Sequence, residues 1–338
     1  MKVEYNVGSL LDRVLITGGN GFIGRHLIKE LRSHNPSSIA IISNRSNFNE
    51  KYFMDRDWPN GTKFNCYTCD IRNRNQISDI FSKEKPQTCI HLAAKTRVSD
   101  STRNSSETME INSKGTLNVL SACHNSKVEN FIFASSAAVY GAVKELPISE
   151  NHALRPLSPY GVSKMLAEEY VSLYRKLKKI ENVVILRIFN VYGNGQASEM
   201  DVISRFVARL SRGLPPVIYG DGLHTRDFIS VHDVVRAMLS SIRLNSKVIL
   251  RGNNDLDLDM IFNIGTGIPT SMNQLAKKLI KIFGLDLEPI YDREKVENKV
   301  ILHSYADVTK AEEILKFVPK TAINEGLREM IDSILIQK

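Results

Sequence analysis

The chain has 338 residues, 42% of them apolar and 24% charged, which fits an ordinary globular protein with one large or two fused domains. No stretch approaches the ~20 apolar residues that cross a bilayer, and the first residues lack an apolar signal core, so the sequence predicts a cytoplasmic protein. The net charge of +8 comes from scattered Lys and Arg, which suits a small anionic substrate and argues against a nucleic-acid track.

Residues 13–17 read as a strand, and 22–32 as an amphipathic helix with Phe22, Ile23, Leu27, Ile28 and Leu31 apolar. Between them, Thr17-Gly18-Gly19-Asn20-Gly21-Phe22-Ile23-Gly24 spaces glycines at 18, 21 and 24. The tight turn needs a residue without Cβ, close approach of a pyrophosphate needs a second, and helix–strand contact needs a third. The helix N-terminus then presents unpaired N–H groups and a positive dipole end to phosphate oxygens. Strand 39–42 follows and ends on Ser43-Asn44-Arg45-Ser46. A carboxylate there would bind the adenosine ribose of NAD. Ser43 and Arg45 would instead accept the 2′-phosphate of NADP, unless Arg45 is only an exposed loop residue.

Strand 63–68 carries Cys66, with Cys69 just beyond it. Positions three apart on a strand face opposite sides, so this lone CxxC reads as buried thiols and not as a zinc or redox pair. Asp70 is a candidate for hydrogen bonding to adenine or a simple turn residue. A helix at 76–82, a strand at 88–92, a helix at 109–124 and a strand at 130–134 come next. Ser158-Pro159 opens a long helix, 159–178, as N-cap and first-turn proline, and 183–187 is another strand. Alternation of this kind predicts an α/β fold, a Rossmann-type doubly wound parallel sheet over 11–180 with segments near 225–265 returning to it. Beyond Asn190, Gly- and Pro-rich turns separate short elements, and a helix follows at 271–283. These predict a smaller α/β substrate domain over 181–338.

Tyr160 and Lys164 lie four apart on the long helix and share one face. A phenol with an ordinary pKa of ~10 is a poor base, and an adjacent ammonium favours the phenolate. The pair can then take a proton from a sugar hydroxyl while hydride leaves the same carbon. Ser135 and Ser136 follow a strand at its C-terminal end, where open parallel sheets bind ligands, and Ser136 could hydrogen-bond both the reacting hydroxyl and Tyr160.

Together these segments resemble the extended short-chain dehydrogenase/reductase family, specifically its NAD-dependent nucleotide-sugar epimerases and dehydratases. The resemblance also covers His91-Leu92-Ala93-Ala94, Arg187 to Gly193, Tyr219 to Gly222, Thr225 to Phe228, Phe262 to Gly267 and Ser304 to Asp307. It implies a Ser136/Tyr160/Lys164 catalytic group, with Lys164 also holding the nicotinamide ribose. NAD contacts are implied for Gly18, Gly21, Phe22, Ile23 and Gly24, for Asp70 and Ile71, and for Ala93. Substrate contacts are implied for Ser136, Asn190, Tyr219, Arg226, Arg293 and Ser304, although Arg226 beside Asp227 would also suit a structural ion pair and Arg293 lies far from Ser304. A homodimer through helices 109–124 and 159–178 is implied as well.

Family members that dehydrate or decarboxylate resemble one another in carrying acids just after the catalytic Ser or Thr, because those steps need another proton carrier. Here Ala137 and Ala138 stand there. The expected activity is therefore a nucleotide-sugar 4-epimerase acting on UDP-glucose and UDP-galactose through a 4-keto sugar. The resemblance also implies that Ser304 lies beside the sugar, where a small side chain leaves room for the N-acetyl group of UDP-GlcNAc and UDP-GalNAc. An NADPH-dependent nucleotide-sugar reductase and a non-catalytic cofactor-binding regulator remain as alternatives.

Overall fold

The computed structural model describes residues 10–44, 58, 61–196, 201–244, 260–294 and 301–336. Arg45 lies outside them. The first half runs β1 (Arg13–Thr17), α1 (Phe22–Leu31), β2 (Ser38–Ser43), β3 (Lys63–Thr68), α2 (Arg74–Glu84), β4 (Thr88–His91), α3 (Val98–Arg103) and α4 (Ser105–Met109). A π-helical turn (Glu110–Gly115) joins α4 to α5 (Thr116–Asn125), and β5 (Asn130–Ser136), α6 (Pro159–Lys176) and β6 (Asn182–Ile188) follow. Later elements are β7 (Asn190–Tyr192), α7 (Val202–Leu210), β8 (Val217–Tyr219), β9 (Thr225–Ser230), α8 (Val231–Ile242) and β10 (Ile261–Ile264). The chain closes with β11 (Pro269–Ser271), α9 (Met272–Phe283), β12 (Ile290–Asp292), β13 (His303–Ser304), α10 (Thr309–Ile314) and α11 (Ile323–Ile336).

Seven parallel strands form the main sheet in the order β10-β6-β5-β4-β1-β2-β3. The order reverses between β1 and β4, and that switch point is where doubly wound sheets bind ligands. Strands β1, β2, β4 and β5 are buried along nearly their whole length, as expected for strands covered on both faces. Leu15, Ile42, Phe81, Leu120, Phe131, Phe133 and Val171 belong to the core on one side of the sheet.

The described residues divide into two compact units. One holds the chain to Val139, Pro156–Arg187 and Val235–Phe262, and the other holds Tyr140–Arg155, Ile188–Val234 and Asn263 onward. This corrects the expected boundary at 180 in three places. Strand β6 is part of the seven-stranded sheet, hydrogen-bonded between β5 and β10. The loop 140–155 belongs to the second unit, and the returning segment begins at Val235, not near 225. The second unit has its own apolar core, including Tyr192, Phe206, Ile218, Phe228, Leu275, Leu279 and Leu327. Among the described residues no helix is long and apolar enough to cross a membrane.

The expected helix 109–124 starts earlier and is interrupted. At the π turn the Asn112 side chain accepts from Lys95 N at 2.7 Å and donates to Lys95 O at 3.0 Å. Cys66 is half-buried and Cys69 buried. Burial, and then the neighbouring Asp70 charge, push the Cys69 thiol up to about 11, where it is inert.

Candidate functional site

The glycine-rich turn is shaped by contacts that admit no side chain. Gly18 has φ +71°, and a Cβ there would lie 2.7 Å from Ala93 N and 2.8 Å from its Cα. A Cβ on Gly24 would lie 2.5 Å from the Gly19 carbonyl oxygen. Gly21 is the N-cap of α1 and no side chain caps that end. The first N–H to find an intrahelical acceptor is Arg25 N, on Gly21 O at 3.1 Å. The N–H groups of Phe22, Ile23 and Gly24 therefore face out of the first turn. A cradle without Cβ atoms beside an uncapped helix start fits a dinucleotide diphosphate.

Around the cradle, Ser43 ends β2 and is buried. Asp70 accepts from Arg72 N at 2.9 Å and from the Arg72 guanidinium at 2.7 to 3.1 Å. These hydrogen bonds, chiefly the side-chain ones, hold its carboxyl below the usual range. Asp70 is thus a turn residue fixed by Arg72, and an adenine contact would have to share that carboxylate. Ile71 is buried, and a Cβ on Gly115 would lie 2.6 Å from its side chain. Ala93 N donates to Thr17 Oγ1 at 3.3 Å.

Ser136, Tyr160 and Lys164 meet where β5 ends and α6 begins. Ser158 caps α6 by accepting from Gly161 N at 3.1 Å. The Tyr160 peptide unit is held at both sides: its N–H donates to Ser101 Oγ at 3.2 Å and its carbonyl accepts from Ser163 Oγ at 2.7 Å. Ser136 Oγ accepts from Ala138 N at 3.2 Å, which leaves its proton for the Tyr160 oxygen. Burial pushes the Tyr160 phenol up, and the Ser136 hydrogen bond opposes that rise. Lys164 is buried, with Nζ donating to Ala134 O at 2.7 Å and lying 4.6 Å from the centre of the Phe133 ring. Burial brings its ammonium down to about 8, against a raising influence from Glu168. The expectation that Lys164 lowers the Tyr160 pKa is corrected here. Burial outweighs every other influence on the phenol, and the ammonium is committed to a backbone carbonyl.

A buried network around His91 carries no signal at sequence level beyond the motif it belongs to. His91 Nδ1 lies 2.6 Å from Thr17 Oγ1, and Nε2 lies 2.9 Å from Thr116 Oγ1. Thr116 gives its proton to Asn112 O at 2.6 Å, so it accepts from Nε2–H, and Nδ1 accepts from Thr17. Asn112 Nδ2 continues the chain to Ser163 Oγ at 2.9 Å. Burial, and then the Lys164 charge, drive the His91 pKa down to about 3. The ring is neutral.

The remaining candidates all fall in the second unit. Asn190 opens β7, beside Phe228 of β9. Arg226 and Ser304 are register partners across β9 and β13. Arg226 Nη1 donates to Thr225 O at 2.8 Å and is not paired with Asp227. Asp227 is instead fully buried and accepts from Thr266 N, Thr266 Oγ1, Gly267 N and Ala306 N at 2.6 to 3.1 Å. The ion-pair alternative therefore fails: backbone donors take both carboxylate oxygens and leave the guanidinium for other acceptors. Burial lowers the Arg226 pKa. The Arg205 guanidinium lies 4.7 Å from the centre of the Tyr219 ring, a cation–π contact that the sequence reading missed. Arg293 is exposed in a bend after β12.

A Cβ-free cradle at the switch point, with Ser, Tyr and Lys gathered at the strand ends beside it, defines a Rossmann-type enzyme of the nicotinamide-dependent kind. A profile of the GDP-mannose 4,6 dehydratase family matches residues 15–330, and the chain belongs to that family within the extended short-chain dehydrogenases/reductases. It is 36% identical over 326 residues to a putative UDP-glucose 4-epimerase of Methanocaldococcus jannaschii, covering 94% of this chain and 97% of that protein. It is 32% identical over 333 residues to the human dTDP-D-glucose 4,6-dehydratase, covering 96% and 90%. The structure of Thermus thermophilus UDP-glucose 4-epimerase in complex with NAD superposes with a TM-score of 0.79 at 29% identity, covering 96% and 99%.

Proposed function

We propose that the protein is an NAD-dependent nucleotide-sugar 4-epimerase that interconverts UDP-glucose and UDP-galactose and admits their N-acetylated counterparts. The reading is carried by the gathering of Ser136 at the end of β5 with Tyr160 and Lys164 on the first turns of α6, where Lys164 is buried with Nζ on Ala134 O. The epimerase relatives and the NAD-bound neighbour support it. Gly18, Gly21 and Gly24 would seat the cofactor diphosphate on the α1 N-terminus, with Ser43, Asp70, Ile71 and Ala93 along its adenosine side. NAD, when bound, supplies reversible hydride exchange and a positive ring charge.

The protein's own work is proton management. Tyr160, its phenolate opposed by burial and favoured by Ser136 and by the positive ring of a bound cofactor, would take the proton of the C4 hydroxyl as that carbon becomes a ketone. With substrate bound, Ser136 would turn its single proton from Tyr160 to that same C4 oxygen. Arg226, with Asn190, Tyr219 and Arg293, holds the nucleotide diphosphate, where a guanidinium pairs well with phosphate. Ser304 leaves room beside the sugar. Ala137 and Ala138, in the short turn after β5, carry no group able to move a second proton, so the dehydratase chemistry of the dTDP-glucose relatives is not expected.

The second proposal is a homodimer of two copies packed through α6. Leu166, Tyr170, Leu173 and Leu177 are 36 to 55% exposed and recur at helical spacing on one face.

The test is to incubate the purified protein with NAD and UDP-glucose, UDP-galactose, UDP-GlcNAc and UDP-GalNAc and to follow interconversion by chromatography. Tyr160→Phe should lower kcat by about 100-fold or more with an unchanged circular dichroism spectrum. Full activity in that variant, or a 4-keto-6-deoxy sugar as the product, would overturn the reading. Turnover of UDP-glucose without turnover of the N-acetylated sugars would remove only the Ser304 extension.

A further inference from the structure

Three residues four apart on α6 meet three consecutive residues at the end of β5. Tyr160 meets Ser136, Lys164 Nζ meets Ala134 O, and Glu168 accepts from Ser135 Oγ. The first two contacts belong to the proposed chemistry; the third has no part in it. Glu168 is only 3% exposed, and Arg187 on β6, 4% exposed, binds it with Nη2 to Oε2 at 2.7 Å and Nε to both oxygens at 3.1 Å. A carboxylate so deep in the protein costs several kcal/mol to desolvate unless fully paired. Its Oε1 takes hydrogen bonds from both Ser135 and Arg187. From sequence spacing, Glu168 would pass for an exposed i,i+4 partner of Lys164. In the fold it is an anchor between two strands and the helix that carries Tyr160.

We infer that Glu168, clamped by Arg187, is a positioning residue. It locks α6 against the Ala134–Ser136 strand end and sets a carboxylate one helical turn beyond Lys164 on the same helix. The groups acting on Lys164 support this. Burial brings it down, Glu168 is the influence that raises it, and His91 from β4 is neutral beside it. Arg187 binds Glu168 and is not among the groups that shift Lys164, and burial keeps Tyr160 on the same helix an uncharged phenol at neutral pH. Losing the Glu168 charge would leave only the Ala134 carbonyl and the Phe133 ring to hold the proton of this buried amine against desolvation.

The assignment rests on the epimerase reading for its kinetic arm only. The test compares the full-length wild type with Glu168→Gln and with the neutral pair Glu168→Gln/Arg187→Met. The pair removes both buried charges, so no uncompensated guanidinium is left to unfold the protein. Lys164 is followed by NMR titration of lysine labelled with carbon-13 at Cε, its signal identified by its loss in Lys164→Arg. In both variants the Lys164 midpoint should fall by about one pH unit from its wild-type position, a tenfold change in proton affinity. With saturating NAD, kcat should fall about 10- to 100-fold, KM should stay within about threefold, and activity should recover toward alkaline pH less than in wild type. A neutral pair that folds with the wild-type Lys164 midpoint and wild-type kcat overturns the inference. A wild type that interconverts no nucleotide sugar overturns the epimerase reading, while the Lys164 titration still decides this one.

Discussion

Lowering the pH from 7 to 5 should destabilise the fold through His91 alone by about 2 kcal/mol. The ring is fully buried, makes one hydrogen bond through each nitrogen, and has its pKa driven down to about 3 from an ordinary 6.5. The unfolded chain therefore takes up a proton between pH 6.5 and 3 that the folded chain refuses, and stability falls as the pH is lowered through that window. At pH 5 the unfolded side chain lies 1.5 pH units below its pKa. At about 1.4 kcal/mol per unit the difference from pH 7 is roughly 2 kcal/mol. This figure would hardly change if the folded value were 4. The assay is urea denaturation of wild type and His91→Gln at pH 7, 6 and 5, with the two series subtracted to cancel carboxylates and the other histidines. The wild type should lose about 2 kcal/mol more than the variant across the range. Parallel losses would refute the reasoning, because they would mean that the imidazole is protonated inside the fold.

Gly18→Ala should cost roughly 2–5 kcal/mol, combining a left-handed backbone penalty of about 1–2 with backbone overlap at Ala93 worth about 1–3. It should also weaken NAD binding, and calorimetry on a folded variant with wild-type affinity would contradict the cradle. Leu173→Glu places a carboxylate twice in a symmetric helix interface. It should weaken self-association about 100-fold in sedimentation equilibrium, whereas a wild type that sediments as a monomer would remove the dimer proposal.

The alternating half of the fold was legible in the sequence because each strand there is a short apolar run and each helix has an apolar stripe. Ser158-Pro159 marked the start of α6 correctly, and the Gly18–Gly24 turn sits where the spacing put it. The second unit was far less legible. Its strands β7, β8, β11, β12 and β13 are two or three residues long, too short for a period-two pattern. Helices α7 and α11 were overlooked among the Gly- and Pro-rich turns, although α7 buries Ile203, Phe206, Val207 and Leu210 on one stripe. Polar partners were the least legible of all. Nothing in a linear string says that Asp227 belongs to Thr266, Gly267 and Ala306, or Glu168 to Arg187, because those pairings are made between different elements brought together only by the fold. The sign of the Tyr160 shift was missed for the same reason: adjacency of a lysine can be read from spacing, but the depth of burial cannot.

The run of hydrogen bonds from Ala93 through Thr17, His91, Thr116 and Asn112 to Ser163 has a single direction, since each hydroxyl proton has one acceptor open to it. Reversing the bond at one ring nitrogen of His91 mismatches donor and acceptor at the other, so Thr17, His91 and Thr116 cannot adjust one at a time. Thr17 and Thr116 thereby fix the imidazole from both sides beneath the glycine cradle, and damage at either threonine should register at the other.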